Sequence, residues 1–294
     1  MAQGEWKRTT DLIERAVSIL TEQWPMTIRQ LFYQLVSAAV IVNCIADYRK
    51  VSRVMTIARN DGRCPWKYIV DRNRPEYAPA VWDDLTEYLE TCRDGYRKDY
   101  WKAQPQHCEI WTEKDAVIGS IEATARELGV TVKVFRGFSS TTKAHEAGQS
   151  FLRMAHLGKP ATVFYLGDHD PSGRDIERDI LHRAQKYGVP FSIRRLAILP
   201  ADIRKFNLPP LRVKETDSRA AGFLRKYKSG QCVELDALPP EELRRRIREA
   251  VEGLIEMEKW NRAVVVEKAE LASIENIIGN WPGVEQGGDT EGLT

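Results

Sequence analysis

The sequence predicts an α/β protein, in which a helical, winged-helix-like N-terminal region precedes a mainly parallel sheet with covering helices and a helical C-terminal extension. Three observations lead there. Apolar residues recur at helical spacing from Leu12 to Ala58, whereas from Cys108 short β-forming runs alternate with amphipathic segments. The third is the stretch Ala161 to Gly173, ATVFYLGDHDPSG, where a run of β-formers ends abruptly in Asp168 and Asp170 and a Pro-Ser-Gly turn.

Taken in order, Leu12, Ile13, Ala16, Val17, Ile19 and Leu20 define a packing helix that Pro25 closes. Thr27 and Gln30 have the T-x-x-Q spacing of a capping box and open the next helix, MTIRQLFYQLVSAA. On it Ile28, Leu31, Phe32, Leu35 and Val36 form an apolar stripe, and Arg29 and Tyr33 lie together off that stripe, so Tyr33 is not needed for the core. The segment DYRKVSRVMTIARNDGR repeats the pattern, with Tyr48, Val51, Val54, Met55 and Ala58 inward and Arg49, Lys50, Arg53 and Arg59 largely outward. Two helices a few residues apart, the second basic, suggest a helix-turn-helix or winged-helix arrangement. CPWKYIVDRNRP, with Lys67, Arg72 and Arg74, reads either as the wing or as an edge strand covering the helices. Residues 79–101 read as one long amphipathic helix, and the polar break after Ala103 as a domain boundary.

Beyond it, CEIWTE, VTVKVFRG, ATVFYLGD and VPFSIRRLAIL read as strands separated by helices, the order of a mainly parallel sheet. Glu113 ends the first of these strands and Asp168 and Asp170 the third, so two strands deliver three carboxylates to the edge where open α/β sheets build their sites. Crowded carboxylates repel unless a cation or proton sits between them, and Mg²⁺ suits a few carboxylates with waters and phosphate oxygens. The plainer reading of DHDPSG is a turn that caps the helix RDIERDILHRAQKYG. The expected division is therefore 1–103 winged-helix-like, 104–200 sheet domain, 201–280 mostly helical extension and 281–294 flexible tail. Within the extension, ADIRKFNLPPLRVKETD reads as loop and the run Arg244, Arg245, Arg246 as a solvated helix face.

Net charge is only +2 over 294 residues, but it is unevenly spread. From Asp47 to Arg74 eight Lys or Arg stand against three Asp, the footprint of a DNA-binding face or of a solvated basic helix. Five scattered cysteines without a CxxC pair suggest neither a disulfide framework nor a structural zinc site and point to a reducing cytoplasm. No apolar run has bilayer-spanning length and no signal-peptide pattern appears, so no membrane partner is expected.

Glu113 at one strand end, then helix, strand and helix, then D-x-D-P-x-G at another strand end, resembles the Toprim domain shared by topoisomerases, bacterial primases and certain nucleases. The fuller GDHDPSG, preceded by TIRQLFY, is similar to the A subunit of topoisomerase VI and the related meiotic transesterase that makes double-strand breaks. In that family an R-x-x-[FY]-Y helix of a winged-helix domain carries the nucleophilic tyrosine. It falls here on Tyr33, with Arg29 matching the arginine, and the Toprim acids fall on Glu113, Asp168 and Asp170. The resemblance spans roughly Thr27 to Ile198; the chain is shorter than the family's usual members, and ELDALPPEEL looks like what accompanies Toprim domains in phage and mobile-element proteins.

The resemblance implies a DNA-cleaving transesterase of the isomerase class, dependent on Mg²⁺ or alternatively Mn²⁺. Tyr33 attacks a backbone phosphate of double-stranded DNA and stays joined to the 5′ end. Glu113, Asp168 and Asp170 hold the metal, Glu113 sharing in catalysis, while Arg29 favours the phenolate or grips phosphate. Arg49, Lys50, Arg53, Arg59 and Lys67 contact DNA, and Lys114 and His169, flanking the acids, are either phosphate contacts or structural residues. A homodimer is implied, the tyrosine of one subunit serving the metal site of the other, in a nucleoid-associated cytoplasmic setting. No GxxxxGK[ST] motif is present, so strand passage requires a separate ATPase subunit. The rivals are a Toprim nuclease using metal-activated water and a non-catalytic DNA-binding accessory protein.

Overall fold

The computed structural model describes residues 2–70, 79–135, 141–186, 191–214 and 216–281. Backbone contacts divide the chain into two compact units, one of Met1–Arg74 and Pro105–Leu254, the other of Pro75–Gln104 and Ile255–Thr294. The sequence-based division runs in chain order, whereas these units interleave: the segment before the break at residue 104 groups with the last helix, and the N-terminal helices group with the sheet.

In the first unit, α1 (Ala2–Gln23), α2 (Ile28–Ser37) and α3 (Ile45–Asn60) pack through Leu12, Ile13, Ala16 and Leu20, Leu31 and Leu35, and Val51, Val54, Met55 and Ala58. The capping box at α2 is formed on both sides: Thr27 Oγ1 accepts the Gln30 N–H at 3.2 Å and Gln30 Oε1 accepts the Thr27 N–H at 2.8 Å. After α3 the chain makes a 3₁₀ turn at Trp66–Tyr68, and Ile69 forms an isolated parallel bridge with Met26. Arg72 and Arg74, with the rest of the expected wing, lie outside the described residues.

The sheet of this unit contains β1 (His107–Thr112), β2 (Thr131–Val134), β3 (Ala161–Leu166) and β4 (Phe191–Ala197), all parallel in the order β2-β1-β3-β4. Their connections are α5 (Ile118–Glu127), α6 (Thr141–His156) and α7 (Pro171–Lys186). This is the expected α/β class with a parallel sheet. One face packs Trp111, Val163 and Tyr165 against Phe151 of α6 and Ile176 and Ile180 of α7. The opposite face is covered by α5 and by α10 (Pro240–Glu252), which is why the central β3 reads as a nearly continuous apolar run.

Between β4 and α10 lie α8 (Pro200–Lys205), β5 (Leu211–Arg212), α9 (Ala220–Lys226), β6 (Gln231–Cys232) and a 3₁₀ turn at Leu235–Ala237. ADIRKF is therefore helical rather than loop: Pro200 opens the helix, and Asp202 accepts the Leu199 N–H at 2.8 Å. Of the three arginines of α10, expected as a solvated face, only Arg245 is exposed. Arg244 donates to the Ser120 and Gln23 carbonyls at 3.2 and 3.1 Å, and Arg246 holds Asp202 at 2.6 Å, while Arg245 pairs with Glu242 and Glu249 of its own helix.

The second unit contains α4 (Leu85–Gly95), a 3₁₀ turn at Tyr100–Ala103 and α11 (Met257–Asn280). Lys98 reaches Glu270 at 2.8 Å, and the Tyr100 and Trp260 rings meet at 4.5 Å. The helix expected over 79–101 is shorter because Asp84 caps it, accepting the Glu87 N–H at 2.9 Å, and it ends at Gly95. No helix among the described residues is long and apolar enough to cross a membrane.

Candidate active site

Parallel pairing of β1 with β3 in the register Thr112 to Leu166 makes the residues just past both strands neighbours. Glu113 accordingly accepts the backbone N–H of Asp168 through Oε1. Asp170 Oδ1 accepts the Gly173 N–H at 2.7 Å, so it caps α7 as the plainer reading had it while standing in the acid group. Gly173 allows this closeness: a Cβ there would lie 2.6 Å from the Asp168 carbonyl oxygen and 3.2 Å from Glu113 Oε1. Arg195 of β4 ties the loop from beneath, donating to the carbonyls of Gly167 at 2.7 Å, Asp168 at 3.1 Å and Gly173 at 3.1 Å while its Nε meets Glu177 at 2.7 Å.

Burial and the neighbouring Asp168 charge push the Glu113 carboxyl up to about 7. Burial pushes Asp168 up to about 6 against the pull of Lys114. The Lys114 ammonium stands 3.0 Å from Asp168, 3.0 Å from Glu234 and 2.9 Å from Asp236, and although burial opposes its charge these carboxylates raise its pKa. Asp168 Oδ1 also accepts the Leu235 N–H at 2.6 Å, drawing the Glu234 to Asp236 turn onto the acid edge.

That turn is where α2 joins the site. Arg29 bonds Glu234 and lies 3.6 Å from Asp236, and its guanidinium carbon is 5.9 Å from the centre of the Tyr33 ring. Tyr33 was expected off the core; it is only 6% exposed, edge-on to Phe32 at 5.3 Å, and with Phe32, Cys44, Ile45 and Tyr48 it lines a small open cavity of about 250 Å³. Burial and Glu234 raise its phenol pKa, while Arg29 and Lys114 pull it down. Tyr33, Arg29, Glu113, Asp168 and Asp170 thus belong to one compact unit of one chain, linked through Arg29, Glu234, Lys114 and Asp168.

The expected DNA contacts are spread along and beyond α3. Arg49 and Arg53 are exposed and Lys50 half-buried. The Arg59 guanidinium lies over the Trp66 ring at 4.7 Å, and the Lys67 ammonium over Trp24 at 4.8 Å. His169, between the two aspartates, is buried, and burial with nearby Arg174 lowers its pKa to about 4.

Whether the acids suit a divalent ion turns on their chemistry. Glu113, Asp168 and Asp170 offer only hard carboxylate oxygens, and the raised pKa values of Glu113 and Asp168 mark charge that a cation would relieve; both fit Mg²⁺ or Mn²⁺. In this structure Lys114 supplies the positive charge at Asp168, and no group of three His, Cys, Asp or Glu side chains among the described residues is arranged to hold an ion.

Sequence reasoning missed Glu234, Asp236 and Arg195. The first two carried a signal, since E-L-D repeats the alternating-acid spacing of D-H-D. Arg195, one of two adjacent arginines in a strand, carried none. No protein-family model, curated protein or solved structure matches the chain, so function is argued from the site itself.

Proposed function

We propose that the chain is a metal-dependent, DNA-cleaving transesterase with Tyr33 as nucleophile. The observation that carries this is the convergence of the tyrosine helix on the acid edge: Arg29, one turn from Tyr33, shares Glu234 with Lys114, which in turn contacts Asp168. The topology adds support, an acid after β1 and the Asp168–Asp170 pair after β3 of a parallel sheet. Arg29 and Lys114 grip the scissile phosphate by exchanging Glu234 for its oxygens. With Glu234 displaced, Arg29 and Lys114 remain the groups that pull the phenol's pKa down. The phenolic proton leaves to water, Tyr33 Oη forms an ester bond to phosphorus, and the phosphorus–O3′ bond breaks, leaving a 3′-hydroxyl once that oxygen is protonated. A divalent ion on Glu113, Asp168 and Asp170 would offset charge on the phosphate oxygens. The reverse attack by the 3′-hydroxyl reseals the strand.

The near-complete burial of Tyr33 favours a second reading, in which water is the nucleophile and Tyr33 only packs. Both are separated by incubating supercoiled plasmid with Mg²⁺ or Mn²⁺, stopping with detergent, and comparing wild type with Tyr33→Phe with and without protease. Transesterification leaves protein on 5′ ends in wild type and no breaks in the variant. Free ends from both proteins at similar rates sink the tyrosine mechanism and leave the hydrolytic one.

A further inference from the structure

Residues 211–230, between β4 and the Glu234 turn, carry six Lys or Arg against two acids, Glu215 and Asp217, in a chain whose net charge is +2. They fold as an excursion closed at its base, where β5 pairs antiparallel with β6 through Leu211 to Cys232 and Arg212 to Gln231. The excursion is mounted on the acid site. His169 donates its N–H to the Val233 carbonyl at 2.8 Å and accepts the Val233 N–H at 3.0 Å, and its ring lies 4.6 Å from Tyr227 and 5.2 Å from Phe223.

Between α9 and α7 runs an open groove of about 690 Å³, with Arg174, Arg178, Arg219, Arg225 and Lys226 along it against Asp175 and Glu177. Several of these cations are already engaged: Arg178 with Asp175, Arg219 with Asp217 at 2.9 Å, and Arg174 with His169 Nδ1 at 3.2 Å. Arg225 and Lys226 are exposed on α9. One end of the groove reaches Pro171, the residue after Asp170, and Arg219 donates to Ser172 Oγ at 3.3 Å in the same turn.

We propose that this groove is a second DNA contact, holding the phosphate backbone of the strand that enters the acid edge. The inference rests on the DNA-cleaving function proposed above and assigns α9 a part in it. Cations arrayed beside a helix whose first turn is capped by Asp170 draw phosphates toward Asp168 and Asp170. Tyr227 has the Arg174 guanidinium at 5.2 Å and the Lys226 ammonium at 5.5 Å over its ring and meets His169 in a T-shaped contact at 4.6 Å, so its faces are already engaged by cations of the groove. The groove therefore reads charge and not sequence.

The test is fluorescence anisotropy of short labelled duplexes of two unrelated sequences, with the full chain in EDTA so that no strand is cut, across a salt series. Arg225→Ala with Lys226→Ala is expected to weaken binding at least about tenfold and to reduce the magnitude of the log Kd against log salt slope by about two, equally for both sequences. Gly222→Glu is the second variant; a Cβ there meets no atom within 4 Å, so a carboxylate enters the groove without removing a contact, and it is expected to weaken binding as well. Wild-type affinity and slope in both variants overturn the inference and leave the cleavage reading to its own test on Tyr33. If wild type binds neither duplex, the groove and the DNA reading fall together.

Discussion

The Lys114 ammonium lies 3.0 Å from Asp168 Oδ1, and the same nitrogen holds Glu234 and Asp236. One lysine thus balances carboxylates from two segments far apart in sequence, and Asp236 Oδ1 is buried with no hydrogen-bond partner among the described residues. Lys114→Met keeps the length and removes the charge, leaving buried carboxylates uncompensated. It is expected to destabilise the chain by about 3 kcal/mol near neutral pH. Urea denaturation checks this, and adding Mg²⁺ recovers part of the loss.

Glu113 gives a pH signature. Its carboxyl is raised from the ordinary 4.5 to about 7, so the folded chain holds a proton there that the unfolded chain releases. The contribution is full below the unfolded pKa and lost as pH rises through about 7. Asp168, raised to about 6, acts in the same direction, and His169, lowered to about 4, acts oppositely. Glu113→Gln isolates the first: the gap in stability between variant and wild type grows in the variant's favour as pH rises across that window, by up to about 3 kcal/mol. Thermal melts over a pH series, without metal, measure it; parallel curves would remove the basis for a charge-strained acid pair.

Gly173→Ala probes the fit of α7 against the acid loop. With its Cβ 2.6 Å from the Asp168 carbonyl oxygen, the backbone must move, at a cost of about 1 to 3 kcal/mol. The same shift separates Glu113 from Asp168, so Mg²⁺ affinity, measured by calorimetry, falls with stability.

Arg195→Lys keeps the charge and loses the fork that spans the carbonyls of Gly167, Asp168 and Gly173. A loss of about 2 kcal/mol in urea denaturation is expected. Wild-type stability would show that Arg195 is dispensable as a staple.

Much of this site was legible where chemistry follows short-range pattern. Val163 to Leu166 announce a buried strand, Asp168 and Asp170 mark its end, and Thr27 with Gln30 fix the start of α2. What stayed illegible depends on contacts between distant segments. Nothing local distinguishes Arg195 from a surface arginine until β4 pairs with β3. Helical periodicity placed Tyr33 off the stripe correctly as an angle, but α2 also packs against the Leu235–Ala237 turn, a distant segment, and Tyr33 is buried. Arg244 and Arg246 looked solvated because their acceptors, the Ser120 and Gln23 carbonyls and Asp202, come from other elements.

The pairing of Arg29 with Glu234 has a consequence for how a DNA phosphate is received. The cations that would greet it are occupied beforehand by an internal carboxylate, so binding at this point is a swap of one anion for another. Such a swap would yield only the difference between two similar contacts. Displacing Glu234 would free Arg29 for the phosphate, whose own charge would take the carboxylate's place.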